Sequence, residues 1–180
     1  MNFTSDWVTH NIPNFQECMK NISVRQSFLE IGCFEGRATC WLLQNGLEEG
    51  RTITCIDTFD PNWYEGKNLR KVFDDNVNKA KLMNQSISVY SMKSSLALAQ
   101  LINTKQIYDF IYIDGDHSPA GVLTDATMAW QLLQKGGVML FDDYEYDLEP
   151  TKIGIDAFLA GFEGQYEIVL QNYQLAVKKK

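Results

Sequence analysis

The sequence predicts an α/β protein: a mostly parallel sheet with helices on both faces, closed by an antiparallel hairpin near the carboxyl end. Three observations predict it. From residue 27 onward, short apolar runs alternate with stretches of helical periodicity, the pattern of successive strand and helix units. One run, Asp109-Phe110-Ile111-Tyr112-Ile113-Asp114, is almost wholly apolar, as suits a central strand covered on both faces. The last two strand-like runs, Gln165 to Leu170 and Tyr173 to Val177, are separated only by Gln171-Asn172, which is too short for a crossover and fits a two-residue hairpin.

The first strand, Ser27 to Gly32, ends in a glycine turn and leads into a helical pattern from Arg37 to Gln44, punctuated by Asn45-Gly46. A second strand, Arg51 to Asp57, opens into an aromatic loop through Thr58, Pro61, Trp63 and Tyr64, and a polar helix follows from Lys67 to Leu82. The third strand, Ser86 to Met92, is followed by a helix over Ser95 to Leu101. The fourth strand precedes a helix from Ala120 to Gln134, which Gly136-Gly137 separates from a fifth strand, Val138 to Asp142. A short helix near Gly154 to Phe162 leads into the hairpin. Residues 1–24 lie outside the alternation and read as a leader of one or two short helices, with Pro13 near a helix start. Residues 25–180 read as the binding domain, and 180 residues build one core, so a substrate site has to come from loops.

Hydrophobic residues at 45% and charged residues at 22% exclude a disordered or fibrous chain. The net charge of −7 repels phosphate backbones, and no basic stripe offsets it, so nucleic acid is not an expected partner. No run approaches the roughly 20 apolar residues that a membrane span needs, and the first residues lack a basic stretch followed by an apolar one. The expectation is a cytoplasmic protein without membrane association. Cys18, Cys33, Cys40 and Cys55 show no Cys-x-x-Cys spacing and read as reduced core thiols.

In an open parallel sheet, ligands bind beyond the carboxyl ends of the strands. The first strand ends in Glu30-Ile31-Gly32-Cys33-Phe34-Glu35-Gly36-Arg37, where two glycines let the backbone approach a ligand before a helix. A plain strand-to-helix turn would use the same residues. Asp57 closes the next strand 25 residues after Gly32, near the offset at which a carboxylate accepts ribose hydroxyls. That pairing points to an adenosine ligand. The Gly-x-Gly-x-x-Gly pattern of dinucleotide sites is not met, and Glu30 and Glu35 flank the turn, poor neighbours for a pyrophosphate and acceptable ones for a sulfonium and an ammonium group.

These residues resemble the class I S-adenosylmethionine-dependent methyltransferases, in particular methyltransferase family 24, akin to macrocin-type and catechol-type O-methyltransferases. The resemblance rests on Phe28 to Arg37, Ile53 to Thr58, Asp109 to His117 and Gly136 to Tyr144, four ordered blocks at strand ends, with the opening Phe3 to Trp7 and His10 to Pro13. It implies a Rossmann-like seven-stranded sheet and S-adenosyl-L-methionine as cofactor. By the same resemblance, Glu30, Gly32 and Gly36 lie against the methionine part, Asp57 holds the ribose, and Lys93-Ser94 border the adenine. Cys33, Thr58, Asp114 and Asp116 complete the cofactor-binding set. Helix capping by Ser94 is the alternative for the adenine-side pair.

Asp114 ends the fourth strand while Asp142 and Asp143 end the fifth, and neighbouring strands lie ~4.8 Å apart, so three carboxylates crowd together. Crowded carboxylates need a counterion or a proton. Mg²⁺ on Asp114, Asp142 and Asp143 would satisfy them, as it does at matching positions of the catechol-type relatives; a metal-free cluster hydrogen-bonded to backbone would also do so. His117, where those relatives carry a lysine base, is the expected base toward an acceptor hydroxyl, with Asp114 the second catalytic residue; the alternative is that His117 caps the following helix. The resulting expectation is O-methylation of a small-molecule hydroxyl. A nicotinamide-dependent oxidoreductase and a non-catalytic cofactor-binding module are the rivals. The acceptor site is either open or completed by a second subunit, as in a homodimer.

Overall fold

The computed structural model describes residues 1–63, 68–146 and 150–180, apart from the Trp63 side chain. A 3₁₀ turn, Thr9–Asn11, runs into helix α1, Ile12–Asn21. Five strand and helix units follow: β1 Ser27–Ile31 with α2 Arg37–Trp41, β2 Thr52–Asp57 with α3 Leu69–Ala80, β3 Ser86–Ser91 with α4 Ser94–Asn103, β4 Tyr108–Ile113 with α5 Pro119–Leu132, and β5 Leu133–Phe141 with α6 Thr151–Gly161. Strands β6, Tyr166–Gln171, and β7, Leu175–Lys179, complete a seven-stranded sheet in the order β3-β2-β1-β4-β5-β7-β6.

Pairing from β3 through β5 is parallel, and β7 inserts antiparallel between β5 and β6. The α/β Rossmann-like architecture predicted from the sequence is therefore the one observed. The two-residue alternation of each strand divides the core into two layers. Phe28, Ile53, Phe110 and Leu140 pack with residues of α1, α2 and α3 on one face. Leu29, Ile56, Ile111 and Met139 pack with α4, α5 and α6 on the other. The leader belongs to this body, since Phe15 and Cys18 of α1 are fully buried in the first layer. All four cysteines are buried free thiols. Among the described residues, no helix is long and apolar enough to cross a membrane.

Some boundaries differ from the sequence expectation. The helix after β1 gives way to a π turn over Leu42–Gly46, where Phe28 and Met19 would crowd any side chain at Gly46. Gly136-Gly137 does not break helix from strand but lies inside β5, because a side chain at Gly137 would meet the Asp109 and Gln134 carbonyls at 2.9 and 3.0 Å. The hairpin turn has three residues, Asn172 to Gln174, since the Asn172 side chain accepts from the Gln174 N–H at 2.9 Å and closes a wider turn. Helix α6 starts at Thr151, whose hydroxyl donates to the Asp143 carbonyl at 2.6 Å.

The strand order reverses between β1 and β4, so their carboxyl ends diverge into different connections and leave a crevice. Gly32 occupies that point with φ +86°, and a Cβ there would lie 1.8 Å from the Asp114 carbonyl oxygen. Gly32→Ala therefore combines a left-handed backbone penalty with an overlap against main chain. The expected loss is about 3 kcal/mol, or a fall of about 10 °C in Tm for a domain of this size, to be read in a thermal melt.

Candidate active site

The β1–α2 turn alternates left-handed residues at Gly32, Phe34 and Gly36, which aims successive backbone N–H groups to one side. Such a nest attracts an anion. Here the anion is the chain's own: Asp57 Oδ2 accepts the N–H groups of Cys33 and Phe34, each at 2.8 Å, and Oδ1 accepts the Phe59 N–H at 2.7 Å. Asp57 thus ties the ends of β1 and β2 together, and its half-buried carboxylate retains acceptor capacity. A dinucleotide pyrophosphate finds that nest already filled. Thr58 is exposed beside it, and the Cys33 thiol turns inward toward the Ile56 and Glu30 carbonyls at 3.6 and 3.7 Å.

Glu30 sits on the face covered by α2 and is wholly inaccessible to solvent. Its Oε2 accepts from the Thr39 hydroxyl at 2.6 Å, while Oε1 has no hydrogen-bond partner among the described residues. Burial pushes this carboxyl up to about 8, with the Asp114 and Asp57 charges adding to the shift. Together with Gly32, Ala38 and Asp114, Glu30 lines a small cavity of about 40 Å³, whose other wall is Ser5, Trp7 and Val8.

On the other side of the crevice, His117 stands between two acids: Nε2 lies 3.3 Å from Asp114 Oδ1, and Nδ1 lies 3.5 Å from Asp143 Oδ2. The donor atoms of Asp114, His117 and Asp143 fall within 4.8 Å of one another. Asp142 is not part of this group. Its carboxylate points behind it, accepting from the Tyr112 hydroxyl, from Gln174 Nε2 at 3.0 Å and from Asn11 Nδ2 at 3.4 Å. Tyr112 also donates to Asp114 Oδ2 at 3.2 Å, and Tyr173 donates to Asp143 Oδ1. Enclosure raises both Asp114 and Asp142, and for Asp114 the Asp142 charge adds to the rise. His117 does not cap α5; Ser118 does, accepting the Gly121 N–H at 3.0 Å.

The adenine-side pair is placed at the start of α4, with Lys93 exposed and Ser94 half-buried, and no side chain caps that helix. Asp116 is exposed and accepts the Ser118 N–H at 2.9 Å. The sequence reading missed the second layer, Tyr112, Tyr173, Gln174 and Asn11. A tyrosine two residues before Asp114 on a buried strand was a visible signal for the first of these; nothing local marked the others. Tyr64 and the Trp63 side chain lie outside the described residues. His10 is exposed and packs edge-on against Tyr173 at 5.4 Å. A larger hollow, about 510 Å³, lies elsewhere, bordered by α1, the residues preceding β1 and Trp41, Asn45 and Glu48, and holds none of these groups.

Because Glu30 keeps its proton when folded and loses it near pH 4.5 when unfolded, the unfolded state binds fewer protons between pH 4.5 and about 8. Stability therefore falls as pH rises through that interval. Glu30→Gln, of the same shape and without a charge to desolvate, flattens this decline. Chemical denaturation of both proteins at pH 5 and pH 8.5 checks it: the stability difference moves in favour of the variant at the higher pH.

The comparisons with known proteins agree with this geometry. The model of a methyltransferase-domain family, family 24, matches residues 29–144, from β1 to just past β5. An uncharacterized protein, R132 of Acanthamoeba polyphaga mimivirus, is 27% identical over 127 residues, 66% of this chain, and the match spans about half of that protein, 52%. Among solved structures, an O-methyltransferase from Bacillus cereus in complex with SAH superimposes with a TM-score of 0.74 at 21% identity, covering 99% of this chain and 84% of that one. The O-methyltransferase NovP gives 0.70 at 16% identity, with 94% and 79% covered. CalS11, a TDP-rhamnose 3′-O-methyltransferase of calicheamicin biosynthesis, gives 0.62 at 16% identity, with 94% and 80% covered. At these identities the likeness is one of fold. With the family model spanning the first five strands and every turn of the crevice, the chain belongs to methyltransferase family 24.

Proposed function

We propose that the protein transfers a methyl group from S-adenosylmethionine to a hydroxyl of a small molecule. The observation that carries this reading is the pairing, across one crevice, of a buried carboxyl with an unpartnered oxygen, Glu30, and the acid-bracketed imidazole of His117. Glu30 and Asp114 suit the ammonium and sulfonium charges of that cofactor. Asp57, Thr58 and the Lys93-Ser94 pair offer polar groups to its adenosine, and Gly32 keeps the crevice floor low. The filled nest at Asp57 argues against the nicotinamide alternative.

In the reaction the acceptor oxygen attacks the methyl carbon, the carbon–sulfur bond breaks, and sulfur leaves with the electron pair as a neutral thioether. The acceptor's proton passes to His117, and the acid opposite its other nitrogen stabilises the imidazolium. Holding oxygen and carbon about 3 Å apart supplies much of the acceleration. A second reading is supported by the convergence of Asp114, His117 and Asp143 within 4.8 Å. The donor set of two carboxylates and an imidazole fits a divalent cation such as Mg²⁺ or a transition ion, which, when bound, polarises the acceptor hydroxyl. Asp142 then supports Asp114 through Tyr112 and does not ligate.

Calorimetric titration with S-adenosylhomocysteine and with NAD, each in Mg²⁺ and in EDTA, tests the reading. Binding of the first compound alone is expected, with Asp57→Ala weakening it at least tenfold; binding of NAD alone, or of neither, contradicts it. Once an acceptor is turned over, His117→Ala should lower kcat 10²- to 10⁴-fold in EDTA with cofactor affinity kept within threefold. Full activity of that variant removes the base, and activity lost in EDTA by the unaltered protein favours the metal reading.

A further inference from the structure

Residues 2–8 cross the β1–α2 turn as an irregular strap, and several polar side chains hold them there. Glu35, buried in the turn, accepts the Thr4 N–H on Oε2 at 2.7 Å and the Thr4 hydroxyl on Oε1 at 2.8 Å. Asn76, buried on α3, accepts the Asn2 N–H at 2.7 Å and donates to the Asn2 carbonyl at 2.8 Å and to the Glu35 carbonyl at 2.9 Å. Arg37 Nε donates to the Ser5 carbonyl at 3.1 Å, its guanidinium lies 3.5 Å from Asp6, and it covers the Phe3 ring at 4.5 Å. Trp7 rests on Phe34 with ring centroids 5.2 Å apart and is nonetheless 64% exposed.

The same strap supplies Ser5, Trp7 and Val8 to the cavity whose floor is Glu30, Gly32 and Asp114. At about 40 Å³ that cavity has room for a few waters, each needing roughly 10–15 Å³ of it. An amino-acid side arm of the size carried by S-adenosylmethionine needs more room than a few waters take. The wall opposite the strap is strand end and helix, fixed by the Gly32–Asp114 backbone contact. The strap is the side that can yield, since its residues are exposed or half-buried and are held by hydrogen bonds to side chains.

We propose that residues 2–8 form the movable roof of the cofactor crevice and that Glu35 is the positioning residue that closes it. The inference rests on the cofactor reading above and adds a step to it: the strap lifts to admit the cofactor, reseats over it, and must lift again before the demethylated product leaves. Glu35 acts through Thr4 and does not touch the reacting atoms, but it and Arg37 also border the cavity, so exchange at residues 2–8 of the variants, beside dissociation, reports the strap. Glu35→Ala removes both bonds to Thr4, and Arg37→Met, at a more exposed position, removes the hold on Ser5 and Asp6 while keeping an apolar stem against Phe3.

The test combines hydrogen exchange of the unaltered full chain with stopped-flow dissociation of S-adenosylhomocysteine. On adding that ligand, exchange should slow both in the peptide spanning residues 29–36, which reports binding, and in the peptide spanning residues 2–8. Dissociation from Glu35→Ala or Arg37→Met should be at least tenfold faster, with association no slower and Tm within a few degrees. Slowing at 29–36 without any change at 2–8, or unchanged dissociation from folded variants, overturns the roof. Absence of slowing at 29–36 overturns the cofactor reading itself, and this proposal with it. The exchange measurement decides even where a variant does not fold.

Discussion

The main-chain contact between Gly32 and Asp114 is the constraint on which the rest depends. Two strands that diverge into different connections are brought so close that no Cβ fits between them. From this contact follow the left-handed turn, the row of N–H groups that Asp57 fills, and the placing of Glu30 and Asp114 on the walls of one cavity. A side chain at Gly32 would not merely crowd a ligand. It would part β1 from β4, and with them the acidic residues that face each other across the crevice.

Five carboxyl groups, Glu30, Asp57, Asp114, Asp142 and Asp143, gather at these strand ends, and the fold answers their repulsion in different ways. Asp57 is neutralised by backbone donors, Asp142 and Asp143 by tyrosine hydroxyls and amides, and Asp114 by Tyr112 and His117. Of the five, Glu30 has a buried oxygen without a hydrogen-bond partner among the described residues, and burial holds its proton in place. Arranging five acids around a crevice costs stability, and the cationic cofactor proposed above would recover part of that cost.

Strands β1, β2, β4 and β5 were legible because each is a short apolar run closed by an acid or a glycine, and Tyr108 to Ile113, buried throughout, shows why. What sequence could not reveal was direction. Asp142 and Asp143 are adjacent and of the same chemistry, yet the left-handed backbone of Asp143, φ +54°, sends one carboxylate to Tyr112 and the other toward His117. The spacing grouped Asp142 with Asp114 and Asp143, whereas the side-chain atoms that converge within 4.8 Å are those of Asp114, His117 and Asp143. Likewise, the opening residues read only as a leader of one or two short helices, because their partners, Glu35, Arg37 and Asn76, lie 31 or more residues away and no local pattern announces them. Side-chain hydrogen bonds over such distances leave no periodic trace.

The most direct test of the account is a crystal structure of the complex with S-adenosylhomocysteine. The account predicts the ligand at the carboxyl ends of β1 and β4, its ribose against Asp57, its amino group toward Glu30 and its sulfur facing the side of the crevice that holds His117. Density in the larger hollow beside α1, or a ligand that leaves Glu30 without a partner, would contradict it.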